Sequence, residues 1–381
     1  MFSPDRICAS IGAVTFQDLV RQFRWAAGPH GRAQAVELRL DYLSGPSERE
    51  KLLQWLSRQR RLPAIIATCR TRRNGGRFDG TAQAELAVLA KAVRAGCLWC
   101  DVDARTASAL KPADLRRALA PARLLISAHD FRRVPGRLKA WVTQLERCGG
   151  HAIKIAAVCR DLADARRLLA LALGRRDLVL VPMGEQVLAA RILALREGSA
   201  LTYASVAEAT GPGQLSLDVL RRVYRLGPGQ RRSPKPLTRR TRVYGVIGDP
   251  VGHSLSPLLH NAAFASAGID AVYLPFRVTD LGDFLSSVDP FGIAGFSVTL
   301  PHKETILRRL DECDSLASDI GAVNTVVVRA GRLYGYNTDY VGVLRSIERR
   351  VPLVSSRVLL FGAGGSARVD EVYAVFPLQP A

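Results

Sequence analysis

Lysine occurs only seven times in this chain, against 47 arginines, so a lysine set among apolar residues is conspicuous. Lys154 is such a residue, enclosed in the run AIKIA (152–156). An amine facing the inside of a barrel loses hydration, which lowers its pKa and frees the neutral form. A neutral amine attacks a ketone, and the resulting iminium draws electrons from the adjacent carbon. The same run suits equally a lysine at a strand end paired with a carboxylate. His129 stands near the end of LLISAHDF (124–131), beside Asp130, where an imidazole is placed to move protons near neutral pH. It fits a structural histidine satisfied by its neighbours as well. In ELRLD (37–41), strand period 2 puts Glu37, Arg39 and Asp41 on one face and the leucines on the other. Interior charges require partners or a ligand. Asp101 and Asp103 repeat that pattern, and Arg70 and Arg191 are candidate clamps for an anion.

The elements that must position these groups alternate through the first part of the chain. Short β-like runs at 7–13, 36–43, 64–70, 98–104, 124–131, 152–157, 178–183 and 201–206 are separated by amphipathic stretches such as 15–26, 48–60, 82–95, 137–147, 162–173 and 186–195. Eight strands, each followed by a helix, predict a (β/α)8 TIM barrel with its chemistry at the C-terminal ends of the strands. Residues 1–226 form this barrel, and the Gly-, Pro- and Arg-rich stretch 227–242 reads as a linker. A second α/β pattern, with strands at 243–247, 272–276, 293–298, 322–328 and 332–336 and helices at 257–267 and 302–310, occupies 243–355. A strand and glycine turn then open a third unit, 356–381.

Composition narrows the class. A 48% hydrophobic chain with no apolar run of bilayer length fits a globular protein with sizeable cores. The N-terminus lacks the basic and apolar segments of a secretory signal, and seven scattered cysteines favour a reducing cytoplasm. The net charge of +20 comes from arginine spread along the whole chain, which suits anionic small substrates rather than a nucleic-acid footprint. Cys97 and Cys100 have redox-motif spacing but precede a strand instead of opening a helix, and no second such pair completes a zinc site. No histidine has metal-ligand spacing, so no metal is expected.

Seven segments, ELRLDYL (37–43), ATCRT (67–71), GGRFDG (75–80), SAHDF (127–131), IKIA (153–156), PMGE (182–185) with Arg191, and TGPGQ (210–214), together resemble type I 3-dehydroquinate dehydratase, a lyase. They fall in that family's order across nearly all of residues 7–226. The resemblance implies that Lys154 forms a Schiff base with the substrate ketone. His129 would remove the neighbouring proton and later protonate the departing hydroxyl. Glu37, Arg39, Arg70, Arg191, Thr210 and Gln214 would line the substrate, with Arg191 nearest its carboxylate. No diffusible cofactor is implied for this step. Asn74 replaces the family's usual acidic residue before the Gly-Gly pair, a carboxylate that orients the histidine, and Thr210 replaces a serine.

GHSLSP (252–257), SVTLPHK (297–303), GAVNT (321–325) and GYNTD (335–339) resemble the substrate domain of shikimate dehydrogenase. By that resemblance Lys303 and Asp339 are the catalytic pair, and Ser254, Ser256, Thr299 and Asn324 hold a hydroxylated ring. Read without it, the two serines either cap the helix that follows, the commoner case, or bind a polyol. Ser297 stands where most members carry Asn, as in bifunctional relatives. FGAGGSA (361–367) resembles the start of an NADP-binding fold, with Gly362, Gly364 and Gly365 approaching the pyrophosphate. Only 14 residues follow, against the ~100 that such a fold needs, so the expectation is a truncated, vestigial cofactor site without dehydrogenase activity. The tandem order matches consecutive steps of the shikimate pathway of aromatic amino acid biosynthesis, from 3-dehydroquinate to 3-dehydroshikimate to shikimate. Those small molecules are the expected partners; neither nucleic acid nor membrane is, and a homodimer is compatible with the pattern. The alternatives are another Schiff-base barrel enzyme of the aldolase class, or a non-catalytic shikimate-binding or regulatory protein. Dehydration of 3-dehydroquinate separates them.

Overall fold

The computed structural model describes residues 7–227 and 236–350. Contacts divide it into two units, one running to Thr241 and joined by Leu258–Asp270, the other made of Arg242–Pro257 and the described residues from Ala271 onward.

In the first unit, strands β1 (Ile7–Ile11), β2 (Ala35–Arg39), β3 (Ala64–Thr68), β4 (Trp99–Asp103), β5 (Arg123–Asp130), β6 (Ala152–Val158), β7 (Leu178–Met183) and β8 (Thr202–Ser205) pair in parallel in the order 7-6-5-4-3-2-1-8. Helices cover the outside and side chains fill the inside, so the strands are near-continuously apolar, as parallel buried strands must be. Local signals start the helices. Thr15, Thr81, Asp161 and Ser216 each accept a hydrogen bond from a backbone N–H in the first turn of the helix that follows. An apolar floor built from Cys8, Ala35, Ile66, Trp99, Leu125, Ala152, Val179 and Tyr203, one residue from each strand, closes the lower lumen. Between β7 and β8 the ladder is replaced by a seam. There Ala200 N donates to Leu178 O (2.8 Å), while the fully buried Ser199 hydroxyl accepts from Leu180 N (3.0 Å) and donates to Leu201 O (2.9 Å).

The expected barrel is present, with shorter strands than the sequence pattern suggests. The strand expected at 36–43 ends at Arg39, and Leu40–Tyr42 form a 3₁₀ turn. Asp41 is therefore not a strand residue. It folds back to take two hydrogen bonds from Arg39 (2.9 and 2.7 Å) and one from Arg77 N (3.0 Å).

Glu85, on the helix Ala82–Arg94, is 1% exposed and accepts a hydrogen bond from Thr106 Oγ1 (2.8 Å). Burial, reinforced by the charges of Asp103 and Asp101 and opposed by the Thr106 bond, pushes its carboxyl up to about 7. A carboxyl raised on folding stabilises fully below its ordinary value of 4.5, and that contribution is lost as pH rises through about 7. Between pH 4.5 and 8 the protein should therefore lose stability, relative to Glu85→Gln, on the order of 2–3 kcal/mol. Denaturant midpoints of the two proteins across that range test this; parallel curves refute it.

The second unit holds a six-stranded sheet in the order 10-9-11-13-14-12, from β9 (Arg242–Gly248), β10 (Ala271–Arg277), β11 (Ile293–Val298), β12 (Glu312–Cys313), β13 (Thr325–Arg329) and β14 (Arg332–Tyr336). Strands β10, β9 and β11 run parallel, and β13 and β14 form an antiparallel pair beside β11. No helix among the described residues is long and apolar enough to cross a membrane.

Candidate active site

A cavity of about 300 Å³ opens at the C-terminal ends of the barrel strands. Lys154 and His129 both line it, together with Glu37, Arg39, Arg70, Arg191, Thr210 and Gln214, the residues that the resemblance set around a substrate, whereas Asp41, Asp101 and Asp103 do not line it. Their elements differ: β2 carries Glu37 and Arg39, β5 carries His129, β6 carries Lys154, and the helix Leu188–Glu197 carries Arg191. Arg70 follows β3, and Thr210 and Gln214 belong to the loop after β8.

Lys154 is buried and paired. Its ammonium donates to Asp101 Oδ2, stands 3.7 Å from Glu37 Oε1, and lies 4.7 Å from the centre of the Tyr203 ring. The carboxylates that enclose it come from β2 and β4, distant in sequence, so the apolar neighbours of Lys154 describe only part of its surroundings. Asp101 also accepts from Ser127 Oγ (2.5 Å) and from Arg70 Nη2 (3.1 and 3.0 Å). Burial alone would raise the Asp101 carboxyl, but the charges of Lys154 and Arg70 hold it well below the usual carboxylate range. Glu37 is fixed by Ser10 Oγ (2.5 Å) and Thr68 Oγ1 (2.9 Å). Ser10 Oγ is 3.0 Å from Thr210 Oγ1, which donates to Gln214 Oε1 (2.9 Å). Ser10, Thr68, Ser127 and Tyr203 were not anticipated. Ser10 is in register with Glu37, Thr68 with Asp101 and Ser127 with Lys154, so strand parity was the one signal that pointed to these hydroxyls.

His129 stacks on Phe131 (5.9 Å between centroids, 15° between planes). Burial, then the positive charges of Arg70 and Lys154, hold its pKa well below the usual imidazole value. The ring is therefore neutral through the physiological range, the state a general base requires. Asn74 is buried on the 3₁₀ turn Arg72–Asn74 and does not line the cavity. The next residue, Gly75, has φ +78°, and an added Cβ would stand 2.4 Å from the Phe131 ring, so glycine lets this loop pack against that ring.

Arg191 differs from the other lumen cations. It is 4% exposed and donates to Pro212 O (2.8 Å), its Nε is buried without a partner, and among the described residues no carboxylate pairs with it. Burial pulls its pKa down to about 10. A guanidinium pairs bidentately with a carboxylate, and a buried one gains most from such a partner.

In the second unit Lys303 Nζ donates to Asp339 Oδ2 (2.6 Å). Asn324 is held by Thr338, adjacent to Asp339, through Nδ2 to Thr338 Oγ1 (3.0 Å) and from Thr338 N to Oδ1 (3.0 Å). Ser254 Oγ accepts from Ser256 N (3.2 Å) in a local turn, and Thr299 N donates to Ile247 O (2.9 Å). Ser297 Oγ accepts from Tyr273 OH (2.8 Å). The glycines Gly362, Gly364 and Gly365 lie outside the described residues. Cys97 and Cys100 are free and buried, and burial pushes both thiols up, Cys100 to about 12, which leaves them inert.

Comparison with known proteins finds a match in each part of the chain. Residues 246–326 match the shikimate dehydrogenase substrate binding domain. A bifunctional 3-dehydroquinate dehydratase/shikimate dehydrogenase, chloroplastic, of Arabidopsis thaliana is 32% identical over 96% of this chain and 62% of its own length. A shikimate dehydrogenase (NADP(+)) of Bacillus cytotoxicus is 53% identical over 33% of this chain and 47% of its own length. The chain thus spans less than two thirds of either relative. The crystal structure of 3-dehydroquinate dehydratase from Geobacillus kaustophilus shares the fold, with a TM-score of 0.51 and 23% identity over 57% of this chain and 88% of that one. Residues 7–229 match the model of type I 3-dehydroquinase, and since that is more than half of the sequence, the chain belongs to the type I 3-dehydroquinase family.

Proposed function

We propose that the barrel dehydrates 3-dehydroquinate to 3-dehydroshikimate through a Schiff base on Lys154. The observation that carries this reading is a buried amine and a buried neutral imidazole in one cavity, beside a guanidinium that no carboxylate among the described residues pairs with. The substrate's carboxylate pairs with Arg191, and Glu37, Arg39, Arg70, Thr210 and Gln214 take its hydroxyls. In its neutral form the Lys154 amine adds to the ketone, and with one proton taken up by the carbinolamine the carbonyl oxygen leaves as water, which leaves an iminium. His129 then takes the proton from the neighbouring carbon, and the electron pair enters the enamine. Return of that proton to the β-hydroxyl releases a second water, and hydrolysis of the iminium frees the product and the amine. No step requires a diffusible cofactor.

For the second unit we propose shikimate-type ligand binding at Lys303, Asp339, Asn324, Ser254, Ser256 and Thr299. Oxidation there would use the NADP that the name of the Bacillus relative carries. The domain limits proposed are 1–226, 227–242, 243–355 and 356–381. The free cysteines support a reducing compartment such as the cytoplasm.

The full chain is incubated with 3-dehydroquinate while enone absorbance is followed, then reduced with borohydride and mapped by peptide mass, with a parallel calorimetric titration of shikimate. The expected results are enone formation, an adduct on Lys154 and saturable shikimate binding. An adduct without enone would favour an aldolase-type barrel, and shikimate binding alone a non-catalytic binding protein.

A further inference from the structure

We propose that Asp103 is the positioning residue of the dehydratase site, the carboxylate that holds His129 in the tautomer able to take a proton. The proposal rests on the reading of His129 as proton carrier. His129 Nδ1 is buried without a hydrogen-bond partner. Asp103 Oδ2 is 4.0 Å from it, with both side chains 6% exposed, and among the described residues it is the carboxylate within that distance. The remaining Asp103 oxygen is committed, because Oδ1 accepts from Arg105 N (2.9 Å) and caps the helix Ala104–Ser108. One oxygen is therefore fixed by the fold and the other is left facing the ring.

The register of β4 and β5 supports the pairing. Asp101 lies opposite Leu125 and Asp103 opposite Ser127. Ser127 bonds Asp101, two residues beyond the partner in register. His129 stands to Asp103 in the same relation, one rung higher on the same face. The lower rung fixes the carboxylate against Lys154, and the upper rung sets a carboxylate against the imidazole. A separation of 4.0 Å is an ion-pair distance, longer than a hydrogen bond. Catalytic hydrogen bonds in ligand-free sites are commonly long and tighten when substrate is bound.

The surroundings give Asp103 a defined electrostatic task. Arg70, Lys154 and Arg39 face His129 with positive charge, and Asp101 and Asp103 face it with negative charge. Behind Asp103 stand Glu85, Arg105 and Arg70, and burial lifts its carboxyl above the ordinary value. A carboxylate that accepts Nδ1–H leaves Nε2 with the lone pair and stabilises the imidazolium formed when the proton arrives. Asn74 is neutral, so it supplies no such charge.

The test compares the full chain with Asp103→Asn and Asp103→Glu, using 3-dehydroquinate turnover across pH and borohydride trapping on Lys154. Asn keeps an oxygen for the Arg105 cap and puts a neutral amide NH2 in place of the carboxylate oxygen that faces the ring. The expected results for Asp103→Asn are a kcat reduced roughly 10- to 100-fold, a KM within about threefold, and undiminished trapping. Its acid limb should move to lower pH, because a negative charge beside the histidine has been removed. Asp103→Glu, which restores the charge, should recover most of kcat. An Asp103→Asn protein with unchanged kcat and acid limb overturns the proposal alone, as does an Asp103→Glu protein no better than Asp103→Asn. A wild-type chain that neither dehydrates nor is trapped overturns the reading of the site and this proposal with it.

Discussion

Replacing Lys154 by alanine is expected to abolish dehydration, a loss of at least about 10⁴-fold, and to remove the borohydride label with it. In the mechanism we propose, the amine converts the substrate's ketone into an electron sink, and among the described residues no second lysine lines the cavity. The same change leaves Glu37 and Asp101 without the cation between them. Breaking a buried pair costs about 3–5 kcal/mol, softened here because Arg70 and Ser127 still hold Asp101. Lys154→Met, which keeps the stem packed against Tyr203, separates lost chemistry from lost folding when melting curves accompany the assays. A folded Lys154→Met protein that still dehydrates would remove the covalent mechanism.

His129→Ala is expected to lower turnover by roughly 10²- to 10⁴-fold while the Schiff base still forms, so that trapped adduct accumulates instead of product. Burial and the charges of Arg70 and Lys154 depress the imidazole's pKa, so the base stays unprotonated at lower pH than an exposed histidine would. The acid limb of the wild-type kcat/KM profile should accordingly lie below the ordinary histidine value of 6.5, and it should vanish in His129→Ala. Loss of both trapping and turnover in a folded His129→Ala protein would mean that the ring assembles the site rather than carrying a proton.

The barrel was legible because parallel strands buried on both faces leave uninterrupted apolar runs, and the amine because a lysine between Ile153 and Ile155 breaks such a run in a chain poor in lysine. What surrounds that lysine was not legible. Asp101, Glu37, Ser127 and Tyr203 reach it from four other strands, and which side chains meet depends on register and closure, which single segments do not encode. Arg39 and Asp41 show the same limit in small: alternation placed them on one strand face, whereas Asp41 turns back from a 3₁₀ turn to neutralise its neighbour. The need for a hydroxyl at Ser199 became visible only with the seam, where a side chain takes over bonds that a strand ladder would have made. In the second unit the lysine motif and GYNTD were recognisable separately. Their meeting, Lys303 on Asp339, depends on β11, β13 and β14 lying side by side.

The solitary guanidinium at Arg191 sets a limit on how robust this protein can become. A cation shut away from water with no opposing anion among the described residues is a standing frustration in the fold, and a nearby aspartate would relieve it. The same aspartate would occupy the place where we propose that the substrate's carboxylate binds. Evolution toward greater heat resistance is therefore closed along this route for as long as the barrel must recognise an acid.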